Sequence, residues 1–339
     1  MSLSVSQAFR EESCSVATDM GGFDRSDAPM APCRDVEVSL PLPLHRFGRT
    51  TSARISGRRS GPVVVVLGGI SGTRFVCSRP DGEPGWWPGL VGRGCAIDPA
   101  HHCILGLDFA ADESGEAAPT TADQAEVLRV ALDAIGCARA EAIIGASYGG
   151  MVGLAFAQLH PERVNRIVVI SAGAEPHAAA SAARELQRRV VALGLDSGRR
   201  DEALSIARGL AMLTYRTAEE FSDRFAGGLA GEDPLGATEP GQYLRARGDA
   251  FRAVMSPERF LSLSASIDRH RIDPTAIRTP TLIIGAESDL LVPAEQLRAL
   301  AASLGGETEL HLRPSLYGHD MFLKEASEIG RLVERFITR

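Results

Sequence analysis

No run in this sequence approaches the roughly eighteen consecutive apolar residues of a membrane-spanning helix, which excludes such a span. Basic charge is scarce too. Lys and Arg number 36 against 43 Asp and Glu, a formal net charge of −7. That balance leaves no basic footprint for nucleic acid and disfavours adhesion to an anionic membrane surface. The six cysteines (Cys14, Cys33, Cys77, Cys95, Cys103 and Cys137) form no C-x-x-C pair and have no partner histidines at metal spacing. In a chain this long they read as free thiols, with no metal site, in a reduced, cytoplasmic setting. The opening residues, MSLSVSQAFREESCS, lack the basic start and apolar stretch of a secretory leader. Internal repeats are absent. What remains is average for a folded globular chain: 339 residues, 44% hydrophobic and 23% charged.

Residues 1–34 are rich in Ser, Asp, Gly and Pro without periodicity, and are expected to form a disordered or peripheral tail. Regular structure is expected from about Val36. Short apolar runs follow at Val63–Leu67, Ile104–Leu107, Ala142–Ile144, Ile167–Ile170 and Leu282–Ile284, and a last, alternating one at Glu309–Leu312. Continuous runs of this length, bounded by Gly, Pro or Asp, suit parallel strands covered on both faces. Between them, Gln124–Ile135 and Val152–Leu159 carry helical periodicity. Alternation of this kind means an α/β fold with a mostly parallel sheet and helices on both faces. Residues 176–270 break it: Leu186, Val190 and Leu193, then Leu204, Ala207, Leu210 and Ala211, repeat at helical spacing with no convincing strand. A core of residues 35–175 and 271–339 with a helical lid inserted over 176–270 is the expected organisation.

Gly145-Ala146-Ser147-Tyr148-Gly149-Gly150 matches G-x-S-x-G between an expected strand and an expected helix. On so tight a turn the flanking residues must be small, and the serine hydroxyl is lifted over the sheet beside a helix N-terminus. Its acid and base should follow in that order. Asp289 lies just past the strand Leu282–Ile284, with Glu287 as the rival carboxylate; the turn position favours Asp289. His319 is the one histidine of eight in a loop between the last strand and the last helix. For the oxyanion, the backbone N–H of Tyr148 is one expected donor, and Ile70, in Gly68-Gly69-Ile70-Ser71-Gly72, the other.

Several segments together resemble the homoserine O-acetyltransferase family of α/β-hydrolase-fold acyltransferases. Most specific is the tryptophan-pair segment, Pro84-Gly85-Trp86-Trp87-Pro88-Gly89 through Ala96-Ile97-Asp98; the others are Ala207-Arg208 with Leu213-Thr214-Tyr215-Arg216, Gly318-His319-Asp320 with Phe322, and Gly149-Gly150-Met151. The resemblance implies an acyl-CoA co-substrate, an acyl-serine intermediate and transfer to the hydroxyl of L-homoserine in methionine biosynthesis, with no bound cofactor. It also implies that Arg208 holds the amino acid's carboxylate, Asp320 its ammonium, and that Tyr215 lines their pocket. The sequence departs from the family at Tyr148, where Met is usual, at the shortened loop Asp108–Gly115, and at Gly68-Gly69-Ile70-Ser71. These changes surround the acyl donor: acetyl is expected first, with succinyl open. L-Serine as acceptor, or plain ester hydrolysis, remain the alternatives. Expected partners are small molecules and a second copy of the chain.

Overall fold

The computed structural model describes residues 32–79, 81–229 and 231–339. Apart from residues 32–34, the expected tail lies outside them. Eight strands form one sheet: β1 (Cys33–Ser39), β2 (Thr50–Gly57), β3 (Val63–Leu67), β4 (Cys103–Leu107), β5 (Ala140–Ala146), β6 (Val164–Ile170), β7 (Thr281–Ala286) and β8 (Thr308–Arg313). Their spatial order is β1-β2-β4-β3-β5-β6-β7-β8. β1 and β2 pair antiparallel, as do β2 and β4, and every other pairing is parallel. Each apolar run of the sequence is a strand of the parallel part. The first strand opens at Cys33 rather than at Val36, and β2 had no expectation. β1 is the edge strand and β2 lies next to it, and both carry polar residues among the apolar ones, so neither shows the continuous apolar signature of the centre.

The side-chain alternation of a strand divides the core into two layers. Val65, Leu67, Leu105, Ile143 and Ile283 face one side, against α1 (Thr121–Ala134) and α2 (Tyr148–Leu159). Val64, Val66, Ile104, Ile144 and Ile284 face the other, against Trp87 and the last helix. α1 begins at a reciprocal cap, in which the Thr120 hydroxyl accepts from the Asp123 N–H and the Asp123 carboxylate from the Thr120 N–H.

Five helices fill the chain between β6 and β7: α3 (Ala178–Asp196), α4 (Arg200–Tyr215), α5 (Ala218–Arg224), α6 (Glu239–Phe251) and α7 (Pro257–Asp268). Thr217, Thr238 and Ser256 cap the last three through their hydroxyls. At the return to the sheet, the buried His270 bridges the Thr121 hydroxyl at 2.7 Å and the Gly173 carbonyl at 3.1 Å. After β7 come α8 (Ala294–Ser303), α9 (Met321–Lys324) and α10 (Ala326–Ile337). Among the described residues no helix is long and apolar enough to cross a membrane.

Candidate active site

Ser147 sits between β5 and α2 with φ 54° and ψ −121°, left-handed values that a serine adopts only where its surroundings impose them. The glycines impose them. A Cβ at Gly145 would overlap the Gly149 carbonyl, and a Cβ at Gly149 the Leu67 carbonyl, so the turn closes only with hydrogen at both places. The Gly149 N–H donates to the Gly68 carbonyl at 2.8 Å, tying the elbow to the end of β3.

β5, β7 and β8 run parallel, so the loops after them share the carboxyl edge of the sheet, where ligand sites gather. That edge brings the three residues together. His319 Nε2 lies 2.9 Å from Ser147 Oγ, and His319 Nδ1 lies 2.8 Å from Asp289 Oδ2. The Leu291 and Val292 N–H groups donate to Asp289 Oδ1 at 2.8 and 3.0 Å, fixing the carboxylate. The structure separates the rival acids: Asp289 is buried and bonded to His319, whereas Glu287 is exposed. Burial opposes charge on His319, but the Asp289 carboxylate outweighs it and holds the imidazole pKa above its ordinary value. With Nδ1–H donating to Asp289, Nε2 is free to accept the serine proton. Chemically the set can generate a serine alkoxide and return its proton to a leaving group.

Tyr148 is the first residue of α2, and at that position a backbone N–H has no acceptor within the helix. Its ring is fully buried, edge-on to Phe109, and its hydroxyl bonds Ser266 of α7. Burial raises the phenol pKa far above its usual range, so this tyrosine stays neutral. Ile70 and Gly69 line a cavity of about 160 Å³ with Ser147 and His319.

Arg208, Tyr215 and Asp320 line that same cavity. Two aromatic rings hold the Arg208 guanidinium, Phe251 at 4.8 Å and Tyr215 at 5.2 Å, and it forms no ion pair among the described residues. Asp320 is buried, with Oδ2 accepting from Arg216 Nε at 3.0 Å. Arg216, also buried, bonds Glu220 in α5. Arg216 belongs to the resembling segment Leu213–Arg216, yet sequence reasoning assigned it no role, because a charge at a helix end shows no sign of a partner in a distant loop.

The tryptophan pair has a mechanical place here. Trp86 lines the cavity and stacks on Trp87 at 5.0 Å. Trp87 donates through Nε1 to the Phe322 carbonyl at 2.8 Å, and the Phe322 ring meets His319 edge-on at 6.0 Å. The segment thus braces the loop that carries His319 and Asp320.

A second, narrower cavity of about 40 Å³ also reaches Ser147 and His319, lined by Met151, Glu175, Arg184 and Leu291 among others. Arg184 and Arg188 both bond Asp268, at 2.6 and 2.7 Å, and Glu175 is bonded outside by Arg271 at 2.6 Å. Two guanidiniums against one carboxylate leave this end of the site positive. No sequence pattern marks Arg184, whose approach to Ser147 depends on how α3 folds back over the sheet. Among the described residues no group of His, Cys, Asp or Glu is arranged to hold a metal ion.

A family model described as the alpha/beta hydrolase fold matches residues 5–326. The chain is 42% identical over 315 residues to homoserine O-succinyltransferase of Xanthomonas campestris pv. campestris, covering 91% of this chain and 84% of that one. It is 31% identical over 337 residues to homoserine O-acetyltransferase of Mycolicibacterium smegmatis, covering 87% of each. Among solved structures, a homoserine O-acetyltransferase from Bacillus anthracis is similar at a TM-score of 0.79 over 92% of this chain and 99% of that one; at 16% identity this is a likeness of fold.

Proposed function

The chain belongs to the homoserine O-acyltransferase family of the α/β-hydrolase fold, and from that premise we propose that it moves a succinyl group from succinyl-CoA to the hydroxyl of L-homoserine through an acyl-Ser147 intermediate. The observation that carries this reading is the presence of Arg208 and Asp320 beside Ser147 in the larger of the two cavities that reach it. A zwitterion needs a fixed cation and a fixed anion, and the planar guanidinium takes a carboxylate through two parallel hydrogen bonds. Arg216 supports the anion: it holds one Asp320 oxygen and so fixes the carboxylate that receives the ammonium.

In the first half-reaction His319 Nε2 takes the Ser147 proton as Oγ attacks the thioester carbonyl. The oxyanion is met by the Tyr148 N–H and by the Gly69–Ile70 loop, with Ile70 as the second donor. The carbon–sulfur bond breaks, and the CoA thiol leaves with the proton from His319. Homoserine then enters the vacated cavity, Arg208 and Asp320 hold its ends beside Tyr215, and its hydroxyl gives a proton to the same Nε2 while attacking the acyl carbonyl. Ser147 recovers its proton and the O-acyl amino acid departs. Use of the larger cavity in turn by donor and acceptor suits this two-stage order.

Acetyl, the donor expected first, carries no charge at its far end. The succinyl reading draws on the relative at 42% identity and on the positive character of the cavity around Arg184. The product would be an activated homoserine for methionine biosynthesis in the cytoplasm, made by a homodimer. The deciding experiment crosses acetyl-, propionyl- and succinyl-CoA with homoserine, serine and water while following free CoA. Steady CoA release only with succinyl-CoA and homoserine supports the proposal. Equal release in water alone assigns hydrolysis, and preference for serine reassigns the acceptor.

A further inference from the structure

Together with Ser147 and Asp320, Phe322 and Leu323 line the larger cavity. The next residue, Lys324, is the only lysine among 339 residues; every other basic side chain apart from histidine is arginine. It is exposed and forms no ion pair among the described residues. Arg247 on α6 is likewise exposed and without a carboxylate partner among the described residues. It approaches the Tyr243 ring at 5.9 Å, and Arg224 approaches the same ring at 4.7 Å. A chain of contacts joins this region to the cavity: Asp320 bonds Arg216, Arg216 and Arg224 share Glu220, and Arg224 and Arg247 approach the same Tyr243 ring. Partial desolvation first, then the charges of Arg216, Arg224 and Arg247, lower the Lys324 pKa, against the opposing pull of Glu220. Glu220 itself is taken up by Arg216 and Arg224, and Asp320 by Arg216.

The other flank of the cavity is different. Beyond Ile70 and Ser71, Arg74 is matched by Asp35 and Asp108, and Arg259 by Glu113 and the Phe109 carbonyl. Lys324, next in the chain to Leu323, and Arg247 are therefore the cations left without a carboxylate on this side, among the described residues. In a chain of net charge −7, clustering like charges without a counter-charge costs free energy that a visiting anion removes.

Resting on the acyl-CoA reading above, we propose that Lys324 and Arg247 form the subsite for the phosphates at the 3′-phosphoadenosine diphosphate end of the donor. The thioester lies at Ser147, the pantetheine arm leaves past Phe322 and Leu323, and the phosphates rest on the ammonium and the guanidinium outside. Lys supplies a compact charge and Arg a planar fork, a combination suited to phosphates in more than one orientation. After CoA departs, the smaller acceptor reaches the acyl-enzyme without using these cations.

The test compares succinyl-CoA with succinyl-N-acetylcysteamine, a thioester that has no phosphate. In Lys324→Ala and Arg247→Ala the KM for succinyl-CoA should rise by about tenfold each with kcat retained, while kinetics with the truncated thioester stay at the native level. Adenosine 3′,5′-bisphosphate should compete with succinyl-CoA in the native protein and lose potency in the variants. Because Lys324 is the sole lysine, a lysine-directed reagent gives one side-chain label, read by mass spectrometry, and the bisphosphate should protect it. Equal damage with both thioesters would overturn the subsite in favour of a structural role, and no change with either would overturn it outright. If the native protein uses neither thioester, the acyl-CoA reading itself fails, an outcome distinct from loss of the subsite alone.

Discussion

At Ser147 the proton has one evident destination. His319 Nε2 is the acceptor in place, and Asp289 fixes the tautomer that leaves Nε2 open. Ser147→Ala and His319→Ala are each expected to lower turnover on the order of 10³-fold or more, with the double variant little worse than either single, because the two act as a unit. The pH profile follows from the sign of the histidine shift. Only neutral His319 can act as base, and its pKa is raised, so kcat/KM for the donor should fall on the acid side at a pH above the ordinary value of about 6.5. Asp289→Asn removes the charge that raises it, and the residual activity should show its acid limb at lower pH. A limb that stays in place in that variant would contradict the assignment. Arg184→Met tests the acyl end: Asp268 keeps Arg188, so the fold should hold, while kcat/KM for succinyl-CoA drops at least about tenfold and that for acetyl-CoA is spared. That Ser147, Asp289 and His319 would meet was legible because the elbow's glycines leave a local signature and the chain order of the expected partners is constrained. Arg184 and Arg216 were not, since each depends on a contact with residues far away along the chain.

The helices of the insertion contribute charge more than chemistry. α4 presents Arg208 and Tyr215 to the cavity, and Arg216 at its end reaches the loop that holds His319. Acylation of Ser147 needs no acceptor, so Arg208→Ala should form acyl-enzyme at close to the native rate in a single turnover and then stall, whereas transfer to homoserine falls by several kcal/mol of lost orientation. Equal slowing of both steps would make Arg208 a structural residue. At this scale the sequence spoke clearly for the central strands, whose β-branched runs such as Val63–Val66 suit burial on both faces. It was silent on β2, because Thr50-Thr51-Ser52 opens a strand that meets solvent on the outside. The tryptophan pair was noticed as a resemblance, but its bracing of Phe322 became visible only in three dimensions.

For the molecule as a whole, His270 ties the returning insertion to α1 and to the Gly173 carbonyl in the loop after β6. Burial lowers its pKa to about 4. Between that value and about 6.5 the unfolded chain binds the proton and the folded chain does not, so stability is full above the upper limit and declines as pH falls through the window, by at most ~3 kcal/mol. Urea midpoints measured from pH 7 to pH 4.5 should fall accordingly, and His270→Gln should be less stable at pH 7 yet flatter across the range. A native protein with level midpoints would refute this. The sheet order carries a consequence for assembly as well. β6 and β7 are neighbours, yet the whole insertion, residues 171–280, lies between them in the chain. Closing so long a loop adds little to the equilibrium cost, because loop entropy grows only logarithmically, but it defers the pairing in time. The order expected from loop closure puts Ser147 with the early half of the sheet, and Asp289 and His319 on strands that dock after the detour is complete. Under the proposed mechanism the serine then lacks its base throughout the search for the fold, and reactivity is expected only with the finished topology.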